Sequence, residues 1–534
     1  MNDKAEVFRL QNELIKSWAG RAFAVRKTTS TSGGKTPGID KVTWKTPQEK
    51  WGAITELQKI TETPTCYRAK PVKRVMIPKP NQVGKERPLG IPVQIDRAMQ
   101  NLILLTLDPI IEETSDLYSF GFRKFRSPGL AMARIRFILD KRTAPQYIWD
   151  ADIKGCFDNI SFDAVKYALE GKLLPVGITY IEKWLNSGII FEGKTTWPTK
   201  GIPQGGVISP VLMNAVLNGM ENCIRGENVS WEHKTSQKEF NLLKNSWIIR
   251  YADDFIVTSP NRLKLEEEMI PKIKEFLKNR GLEINAEKST IIDLHESGFY
   301  FLGWEVTLPI RNWRLNKLGG HARTFVMRPM KLKVKNFKAE LKKAWDPKHP
   351  MSRIVAELNP KIRGWTNYYR TSYHSQRDFQ HLTTYNLEIF YGRRKHSSRT
   401  NKWLRDRYIF RTPTRKWVIG NSEKELLLVP NESTHWDLRS MKNLNPYTDQ
   451  EYFVSRNIHL TAERLRKTVY MNYNFRCALC NGPLAGEEPI EIHHAIKDGG
   501  KSTISNLAPL HETCHKSVTY AGVTLKRKDL SKSD

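Results

Sequence analysis

The chain has 534 residues and carries 86 Lys and Arg against 56 Asp and Glu, a formal net charge of +30. Basic residues spread along the whole chain favour a polyanionic partner, with nucleic acid as the first candidate; a merely soluble basic protein is the alternative. Six cysteines in so long a chain exclude a disulfide framework. The length predicts roughly three to four domains.

Targeting and membrane segments are not evident in the sequence. No apolar run approaches the ~18 residues of a membrane-spanning helix, so no membrane partner is expected. The first ten residues are polar and of mixed charge, unlike a secretory or transit peptide. We therefore expect a nucleic-acid-associated protein of the cytoplasm, with an organelle as the alternative location.

The predicted elements alternate between helices and short strands. Apolar residues at near-helical spacing predict helix over residues 1–30, and prolines among alternating basic and apolar residues predict a hairpin over residues 73–92. Further helices are expected over residues 96–112, 162–187, 209–220, 263–280, 331–345, 353–369, 382–391 and 465–472. Strands are expected at residues 147–153 and 299–306.

Two adjacent carboxylates, Asp253 and Asp254, lie between two apolar, β-branched runs within residues 247–258. This pattern predicts a hairpin with the acids in its tight turn. Burying such a pair is costly unless a cation compensates, and hard oxygen ligands select Mg²⁺. An Asp-Asp pair is also ordinary turn chemistry, so by itself the segment is equally compatible with a structural turn.

A third acid, Asp152, ends the predicted strand over residues 147–153. The order strand, helices, hairpin predicts a small α+β sheet that brings the three acids together. Two-metal polymerase chemistry requires such a set of carboxylates. Phe157 follows shortly after, where its ring would sit under an incoming sugar and exclude a 2′-hydroxyl group by contact.

At this point the sequence resembles the reverse transcriptases encoded by mobile group II introns. Seven blocks carry the resemblance in the family's order: Thr36–Asp40, Ile77–Pro92, Asp152–Ile160, Gly201–Gly205, Tyr251–Asp254, Gly281–Thr290 and Phe301–Gly303. The resemblance implies that Asp152 and Asp253 bind catalytic Mg²⁺, with Asp254 as a supporting acid. It assigns the nucleotide to Lys79, Arg87, Phe157, Gln204, Gly205 and Lys288, and the primer end to Leu302 and Gly303. For Lys79 alone, a solvated surface charge is the alternative.

Residues 362–370 resemble the thumb, or maturase, signature of the same family. The resemblance implies that Arg363, Trp365 and Arg370 serve the thumb and its contact with RNA. Duplex RNA is gripped largely through its backbone, which suits outward-facing arginines. The alternative is a core stripe of aromatic residues, and we expect both to hold in part.

The C-terminal region contains a Cys/His cluster. Cys477 and Cys480 are paired with His511 and Cys514, which gives the tetrahedral ligand set of structural Zn²⁺. The intervening sequence resembles the HNH nuclease site. That resemblance implies His494 as the general base, His493 and His515 as ligands of a catalytic divalent ion (Mg²⁺), and Glu491 and Asn506 as supporting residues.

Two positions depart from the HNH pattern; zinc tolerates the first, and the second leaves the coordination of the catalytic ion open. His511 stands where many relatives have Cys, and Thr519 stands where some relatives carry a further metal ligand. The alternative is a zinc-stabilised DNA-binding unit without cleavage.

The resemblance implies a multidomain α+β protein. The expected parts are a right-hand polymerase of fingers and palm (1–315), an α-helical thumb or maturase domain (316–411), a small DNA-binding segment (412–465) and a zinc-stapled ββα-metal HNH nuclease domain (466–534). Residues 412–465 are assigned by position alone.

The implied function is that of a group II intron-encoded reverse transcriptase and maturase. Such a protein binds its intron RNA as a ribonucleoprotein, promotes splicing, nicks target DNA and copies the RNA from the cut end, using deoxynucleoside triphosphates. The alternatives are a bacterial reverse transcriptase without an intron, an RNA-binding splicing maturase with a zinc-stabilised DNA-binding tail, and a nuclease guided by a polymerase-like region. Intron class, host, DNA target and oligomeric state stay open.

Overall fold

The computed structural model describes residues 3–78, 84, 86–139, 144–225, 246–307, 325–370, 372, 385–412, 415–420, 444–461, 464–484, 488–494, 504–520 and 525. The chain divides into two compact units, Met1–Leu438 and Arg439–Asp534. The division falls inside the segment 412–465, so residues 444–461 belong to the second unit. The division into four functional domains stays a prediction.

The first unit begins with helices and then alternates them with strands. Its helices are α1 (Lys4–Lys16), α2 (Trp18–Ser30), α3 (Pro47–Glu62), α4 (Gln94–Thr114), α5 (Pro128–Leu139), α6 (Cys156–Asn159), α7 (Phe162–Leu169), α8 (Pro175–Leu185), α9 (Ser209–Leu217), α10 (Met220–Arg225), α11 (Ile270–Lys278), α12 (Lys331–Ala344), α13 (Met351–Tyr368) and α14 (Asn401–Tyr408). Shorter helical turns lie at Ser32–Lys35, Arg262–Lys264, Leu265–Met269, Asn386–Gly392 and Arg393–Lys395. Its strands are β1 (Val72–Pro78), β2 (Glu86–Ile91), β3 (Tyr147–Asp152), β4 (Ile189–Phe191), β5 (Lys194–Thr196), β6 (Trp247–Tyr251), β7 (Asp254–Ser259), β8 (Thr290–Asp293), β9 (Phe299–Phe301), β10 (Trp304–Thr307), β11 (Val326–Pro329), β12 (Ile409–Thr412) and β13 (Arg415–Ile419).

The predicted N-terminal helix is confirmed as α1 and α2, which meet at Ser17. The Ser17 hydroxyl caps α2 by accepting from the backbone N–H of Gly20. The helices bury Ile15, Ala24 and Val25 in the core. The apolar side chains that suggested the helix lie outward instead, and the exposed ones are Leu10, Leu14, Trp18 and Phe23.

The central sheet of the first unit has the strand order β6-β7-β3-β8, and its neighbours run antiparallel. β3 and β7 pair over their whole length, from Tyr147 opposite Ser259 to Asp152 opposite Asp254. Phe255 and Val257 of β7 are fully buried. The predicted hairpin over residues 247–258 is therefore confirmed, and its β7 strand lies against the strand that ends at Asp152.

A second sheet has the order β2-β1-β4-β5. β1 and β2 form an antiparallel hairpin that pairs Lys73 with Ile91 and Pro78 with Glu86, as predicted for residues 73–92. The short strand β4 pairs with β1 in parallel. The predicted turn lies largely outside the described residues.

Proline and glycine shift several predicted boundaries. The helix expected over residues 162–187 is two helices, because α8 starts anew with Pro175 at its first position. The helix expected over 209–220 ends at Leu217, before Gly219 at φ +89°. The single strand expected over 299–306 is wrong: Leu302 (φ 48°) and Gly303 (φ 85°) form a turn between β9 and β10.

The basic helices that follow are built around aromatic contacts. The predicted helices over 331–345 and 353–369 correspond to α12 and α13, and the rings of Phe337 and Trp365 stack with their centroids 4.3 Å apart. The helix predicted over 382–391 lies partly outside the described residues. Its remainder falls within the helical turn Asn386–Gly392. Leu387 and Tyr391 of that turn are buried in the same core as α12 and α13.

The second unit contains helices α15 (Gln450–Thr461), α16 (Arg464–Asn472) and α17 (Glu512–Tyr520), a helical turn at Ile504–Asn506, and strands β14 (Ile490–His494) and β15 (Leu507–His511). β14 and β15 run antiparallel, and α17 continues directly from β15. Within the described residues, helices are either too short or too polar to cross a membrane.

Candidate active site and metal centre

Three carboxylates meet at one end of the central sheet. Asp152, the last residue of β3, lies opposite Asp254, the first residue of β7. Asp253 occupies the β6–β7 turn together with Ala252 (φ 60°), and its carbonyl accepts a hydrogen bond of 3.4 Å from the backbone N–H of Ile153. Asp254 therefore starts the strand rather than completing the turn, and the pairing still brings the predicted acids together.

Asp152 is held by a cation and an amide. The Lys288 ammonium donates to Oδ2 of Asp152 at 2.8 Å, and Nδ2 of Asn285 donates to the same oxygen at 3.2 Å. The backbone N–H of Asn285 also donates to the Asp152 carbonyl at 2.8 Å. Lys288, which is predicted to support the nucleotide site, thus contacts one of the acids directly. Its hydrogen bond with Asp152 raises the pKa of Lys288.

The carboxylates at this end of the sheet are close enough to repel one another. Desolvation and repulsion from Asp253 and Asp152 raise the pKa of Asp254 to about 7, and burial followed by repulsion from Asp152 raises the pKa of Asp150 to about 6. A bound divalent cation would remove this repulsion. The donors are hard carboxylate oxygens, so the group fits Mg²⁺.

A loop and a helix frame the space beside the acids. The side-chain amide of Gln204 donates to the Asp158 carboxylate at 3.2 Å, and the backbone N–H of Ile202 donates to the Phe157 carbonyl at 2.6 Å. Gly205 has φ +104°, and a Cβ atom there would lie 2.7 Å from the Gly90 carbonyl oxygen. The loop that carries Gln204 and Gly205 thus lies beside Phe157, and only glycine fits where this loop crosses β2.

A cavity of about 330 Å³ lies between this loop and the sheet that contains β1 and β2. Arg74 and Lys200 contribute cations to its lining, and Asp158 and Gln204 contribute acceptors and donors. Arg74, Lys200 and Asp158 were not among the site residues predicted from the sequence. Arg87 lies on β2 and is exposed, while Lys79 lies outside the described residues.

The β9–β10 turn is tied to the end of α13. The Tyr368 hydroxyl donates to the Leu302 carbonyl at 2.9 Å, and the Tyr369 hydroxyl donates to the Gly303 carbonyl at 3.4 Å. The Trp304 ring stacks on Tyr368 with centroids 4.8 Å apart. The prediction that the aromatic residues of this helix are mostly core holds for Tyr369, whereas Tyr368 is exposed. The hydroxyl groups of both tyrosines also bind the turn that is expected to steer a primer.

The expectation for the other residues of this helix holds in part. Arg363 is exposed, as predicted for a residue that grips a backbone. Trp365 is half-buried against Phe337, and Tyr369 is 4% exposed. Arg370 is half-buried, and burial lowers the pKa of its guanidinium group.

In the second unit, the predicted zinc ligands converge. The ligand atoms of Cys477, Cys480, His511 and Cys514 all lie within 4.8 Å of one another. His511 Nδ1 lies 3.4 Å from Cys480 Sγ and 3.9 Å from Cys514 Sγ. His511 Nε2 is 2.9 Å from the Pro483 carbonyl, to which it would donate when Nδ1 binds a metal.

The thiols of this cluster need a positive partner. Burial and the neighbouring sulfurs of Cys480 and Cys477 raise the pKa of the Cys514 thiol to about 12. Thiolates so close together repel one another unless a cation lies between them. Three sulfurs and one imidazole are the donor set of a tetrahedral zinc site.

Three further histidines, His493, His494 and His515, lie where β14 meets α17. The rings of His493 and His515 lie 5.1 Å apart, and His493 is 8% exposed. The adjacent His494 is exposed, and Asn506 is buried at the start of β15. The two predicted ion ligands, His493 and His515, are thus neighbours, and their role in binding an ion stays a prediction. Thr519 is exposed on α17.

Four family models match the chain in order. They describe the N-terminal domain of reverse transcriptase (residues 1–57), the reverse transcriptase or RNA-dependent DNA polymerase (77–306), the group II intron maturase-specific domain (334–409) and the HNH endonuclease (477–520). The second match includes all three acids of the carboxylate site, and the fourth includes the Cys/His cluster.

Similar proteins come from bacteria and yeast. Protein YkfC of Escherichia coli is 29% identical over 53% of this chain and 78% of its own length. The group II intron-encoded protein LtrA of Lactococcus lactis is 24% identical over 57% of this chain and 61% of its own length. A COX1/OXI3 intron 1 protein of Saccharomyces cerevisiae is 29% identical over 45% of this chain and 33% of its own length. The matched region is thus less than two thirds of the latter two relatives.

The matched domains define a multidomain reverse transcriptase with an endonuclease domain. The maturase-specific domain lies between them and the relatives include LtrA, so the chain has the domain composition of a group II intron-encoded protein. The two catalytic domains indicate RNA-directed DNA polymerase and nuclease activity.

Proposed function

We propose that the first unit is a right-hand polymerase in which the central sheet is the palm, the sheet of β1 and β2 the fingers, and α12 and α13 the thumb. The observation that carries the proposal is the register that sets Asp152 opposite Asp254, with Asp253 in the adjoining turn. Mg²⁺ bound by these carboxylates would supply activation of the primer 3′-oxygen and stabilisation of the leaving group.

The residues around the acids would position the reactants. Lys288 and Asn285 hold one oxygen of Asp152 and leave its other oxygen for an ion. Lys79 and Arg87 would meet the triphosphate, and Gln204 and Gly205 would line the nucleotide pocket.

The sugar would meet the ring of Phe157, which selects deoxynucleotides by excluding a 2′-hydroxyl group. Phe157 is partly buried against the core, so its ring has limited freedom to give way. Its backbone carbonyl is bound to the loop that carries Gln204, which keeps the ring and the nucleotide loop in register.

The thumb helices would hold the template and primer. The Leu302–Gly303 turn would set the primer end, and Tyr368 would fix that turn from α13. Arg363, with the basic residues of α12, would contact the RNA backbone, while Trp365 packs the helices and the half-buried Arg370 lies at the end of α13.

The second unit would act on DNA. Zn²⁺ bound by Cys477, Cys480, His511 and Cys514 would be structural, whereas a divalent ion such as Mg²⁺ bound by His493 and His515 would be catalytic. His494, exposed beside that pair, would act as the base that takes a proton from water. Asn506 and Glu491 would support β14 and its neighbouring loop.

The two units would then work in sequence on one intron. The protein would bind its intron RNA as a ribonucleoprotein, promote splicing, nick target DNA and extend the new 3′-end with deoxynucleotides. A formal net charge of +30 suits such polyanionic partners, and a nucleic-acid-associated location in a bacterial cytoplasm or an organelle suits that role. The segment 412–465 is proposed to bind DNA by its position.

A second candidate for the C-terminal unit is a zinc-stabilised DNA-binding tail without cleavage. Thr519 favours it, because a hydroxyl stands one turn beyond His515 where a further imidazole or amide ligand would complete an ion site.

The polymerase proposal is tested by Asp253→Asn in primer extension on an RNA template. The substitution keeps the side-chain volume and removes the charge, so DNA synthesis should be lost while binding of the intron RNA is unchanged. Retained synthesis would contradict the assignment. The pair of Lys272 and Glu268 supplies a control, since Lys272→Met changes a charge in an exposed i,i+4 ion pair.

A further inference from the structure

A segment outside the recognised blocks lies against the catalytic turn. The backbone N–H of Phe120 donates to the Arg250 carbonyl at 2.8 Å, and the backbone N–H of Arg250 donates to the Tyr118 carbonyl at 3.0 Å. Ser119 forms a parallel bridge with Arg250. Residues 118–120 thus extend the palm sheet beyond β6, the strand that leads into the turn with Asp253.

Gly121 brings this segment into contact with the turn itself. A Cβ atom at Gly121 would lie 2.3 Å from the backbone nitrogen of Ala252, which is too close for any side chain. The buried Asn214 amide donates to the Gly121 carbonyl at 2.9 Å and accepts from the Arg250 guanidinium at 3.1 Å. The position of Gly121 is therefore fixed by Ala252 on one side and by Asn214 on the other.

The next residue, Phe122, combines a left-handed backbone conformation with an exposed aromatic side chain. Its φ is 59°, a left-handed conformation that a bulky residue rarely adopts. Its side chain is 53% exposed, so burial in the core does not explain the conformation. Arg123 follows in a buried ion pair with Glu112 at 2.7 Å, which anchors the chain on the other side of Phe122. A strained backbone that neighbouring contacts hold in place is typical of functional positions.

The Phe122 ring faces Phe157. The two centroids are 6.4 Å apart and the planes are inclined by 77°, an edge-to-face contact. Phe157 is partly buried against the core and also contacts Phe122. Phe122 therefore restrains the ring that would meet the sugar.

We propose that Phe122 is a specificity-determining residue that holds Phe157 in place, so that the ring of Phe157 cannot shift to admit a 2′-hydroxyl group. The inference rests on the proposed role of Phe157. The left-handed backbone at Phe122 directs its ring toward Phe157. The contacts of Gly121 and Arg123 hold the backbone of Phe122 in this conformation.

The test is primer extension with matched deoxy- and ribonucleoside triphosphates, reported as the ratio of the two kcat/KM values. For Phe122→Leu, the preference for deoxynucleotides should fall about two- to tenfold, since an edge-to-face pair contributes roughly 0.5–1.5 kcal/mol. Phe122→Tyr keeps the ring and should keep the ratio. Phe23→Leu, which removes a similarly exposed ring from α2, should leave the ratio unchanged.

The Phe157→Ala variant separates the two ideas. If Phe157→Ala leaves the ratio unchanged, the proposed sugar role of Phe157 fails. If Phe157→Ala relaxes selection but Phe122→Leu lowers both kcat/KM values equally or not at all, Phe122 has only a structural role and the inference is overturned. In the double variant, Phe122→Leu should add no further loss, because its effect passes through the missing ring.

Discussion

The carboxylate site of the first unit and the Cys/His cluster of the second differ in what holds them together. Lys288 and Asn285 bind Asp152, and the strand pairing of a large sheet aligns the acids. The Cys/His cluster instead joins a short loop to the start of α17 in a small unit. Its three cysteines would repel one another as thiolates. The carboxylate site is thus assembled by the fold, whereas we expect the second unit to need a bound ion for its stability.

The largest expected effect follows from removing the zinc. Structural zinc contributes about 10–16 kcal/mol in small metal-dependent units. Cys480→Ser should therefore unfold the second unit, measured as loss of bound zinc and as rapid proteolysis after residue 438. Primer extension by the first unit should persist.

The matched control is Cys66→Ser, which changes an exposed cysteine of the first unit. It should retain zinc and resist proteolysis. Full protease resistance of the zinc-free Cys480→Ser protein would show that the fold of the second unit does not depend on the ion.

The next effect concerns cleavage without loss of fold. His494→Ala removes the proposed base from an exposed position of β14 and should slow nicking of target DNA by roughly 10²- to 10⁴-fold. Zinc content and primer extension should be those of the unchanged protein. Undiminished nicking would favour another base or a different cleavage site.

A smaller effect is expected at the polymerase acids. Lys288→Met keeps most of the side-chain length but removes the cation from Asp152, so kcat/KM for nucleotide addition should fall about tenfold, or roughly 1.4 kcal/mol. The measurement is single-nucleotide extension, with Lys272→Met as the control on a solvent-exposed pair. Equal activities of the two variants would exclude a role for Lys288 beyond surface charge.

The smallest effect tests the link between α13 and the β9–β10 turn. Tyr368→Phe keeps the stacked ring and removes one hydrogen bond to Leu302, a loss of about 0.5–1.5 kcal/mol. Affinity for primer-template should weaken about two- to tenfold, measured by equilibrium binding. Tyr300→Phe is the control in the same hairpin, because its hydroxyl makes only a long contact of 3.4 Å with Glu305. The hypothesis fails if both variants bind alike.

The sequence was sufficient to predict the candidate carboxylate and Cys/His residues, because residue type and spacing indicate them. Acids at the ends of predicted strands and Cys/His pairs at fixed intervals are local signals, and the fold places them as expected. The nucleotide loop is a similar case, because Gly205 marks a backbone conformation that a side chain would prevent.

The contacts that support those residues could not be read from the sequence. Phe122 reaches Phe157, and Tyr368 reaches Leu302, only because distant segments pack together. No spacing rule reports such pairs. At the N-terminus the helical periodicity predicted the helices correctly but not their buried face, because Trp18 and Phe23 are exposed. The turn at Leu302 was hidden because an apolar residue occupies a left-handed position.

The most direct measurement follows one DNA strand through both sites. Reconstituted with intron RNA, the protein should nick intact target DNA and extend the cut strand. His494→Ala should make no product on intact DNA and full product on DNA that already carries the nick, while Asp253→Asn should nick and add nothing. New DNA joined to the cut strand by the Asp253→Asn protein would contradict the account.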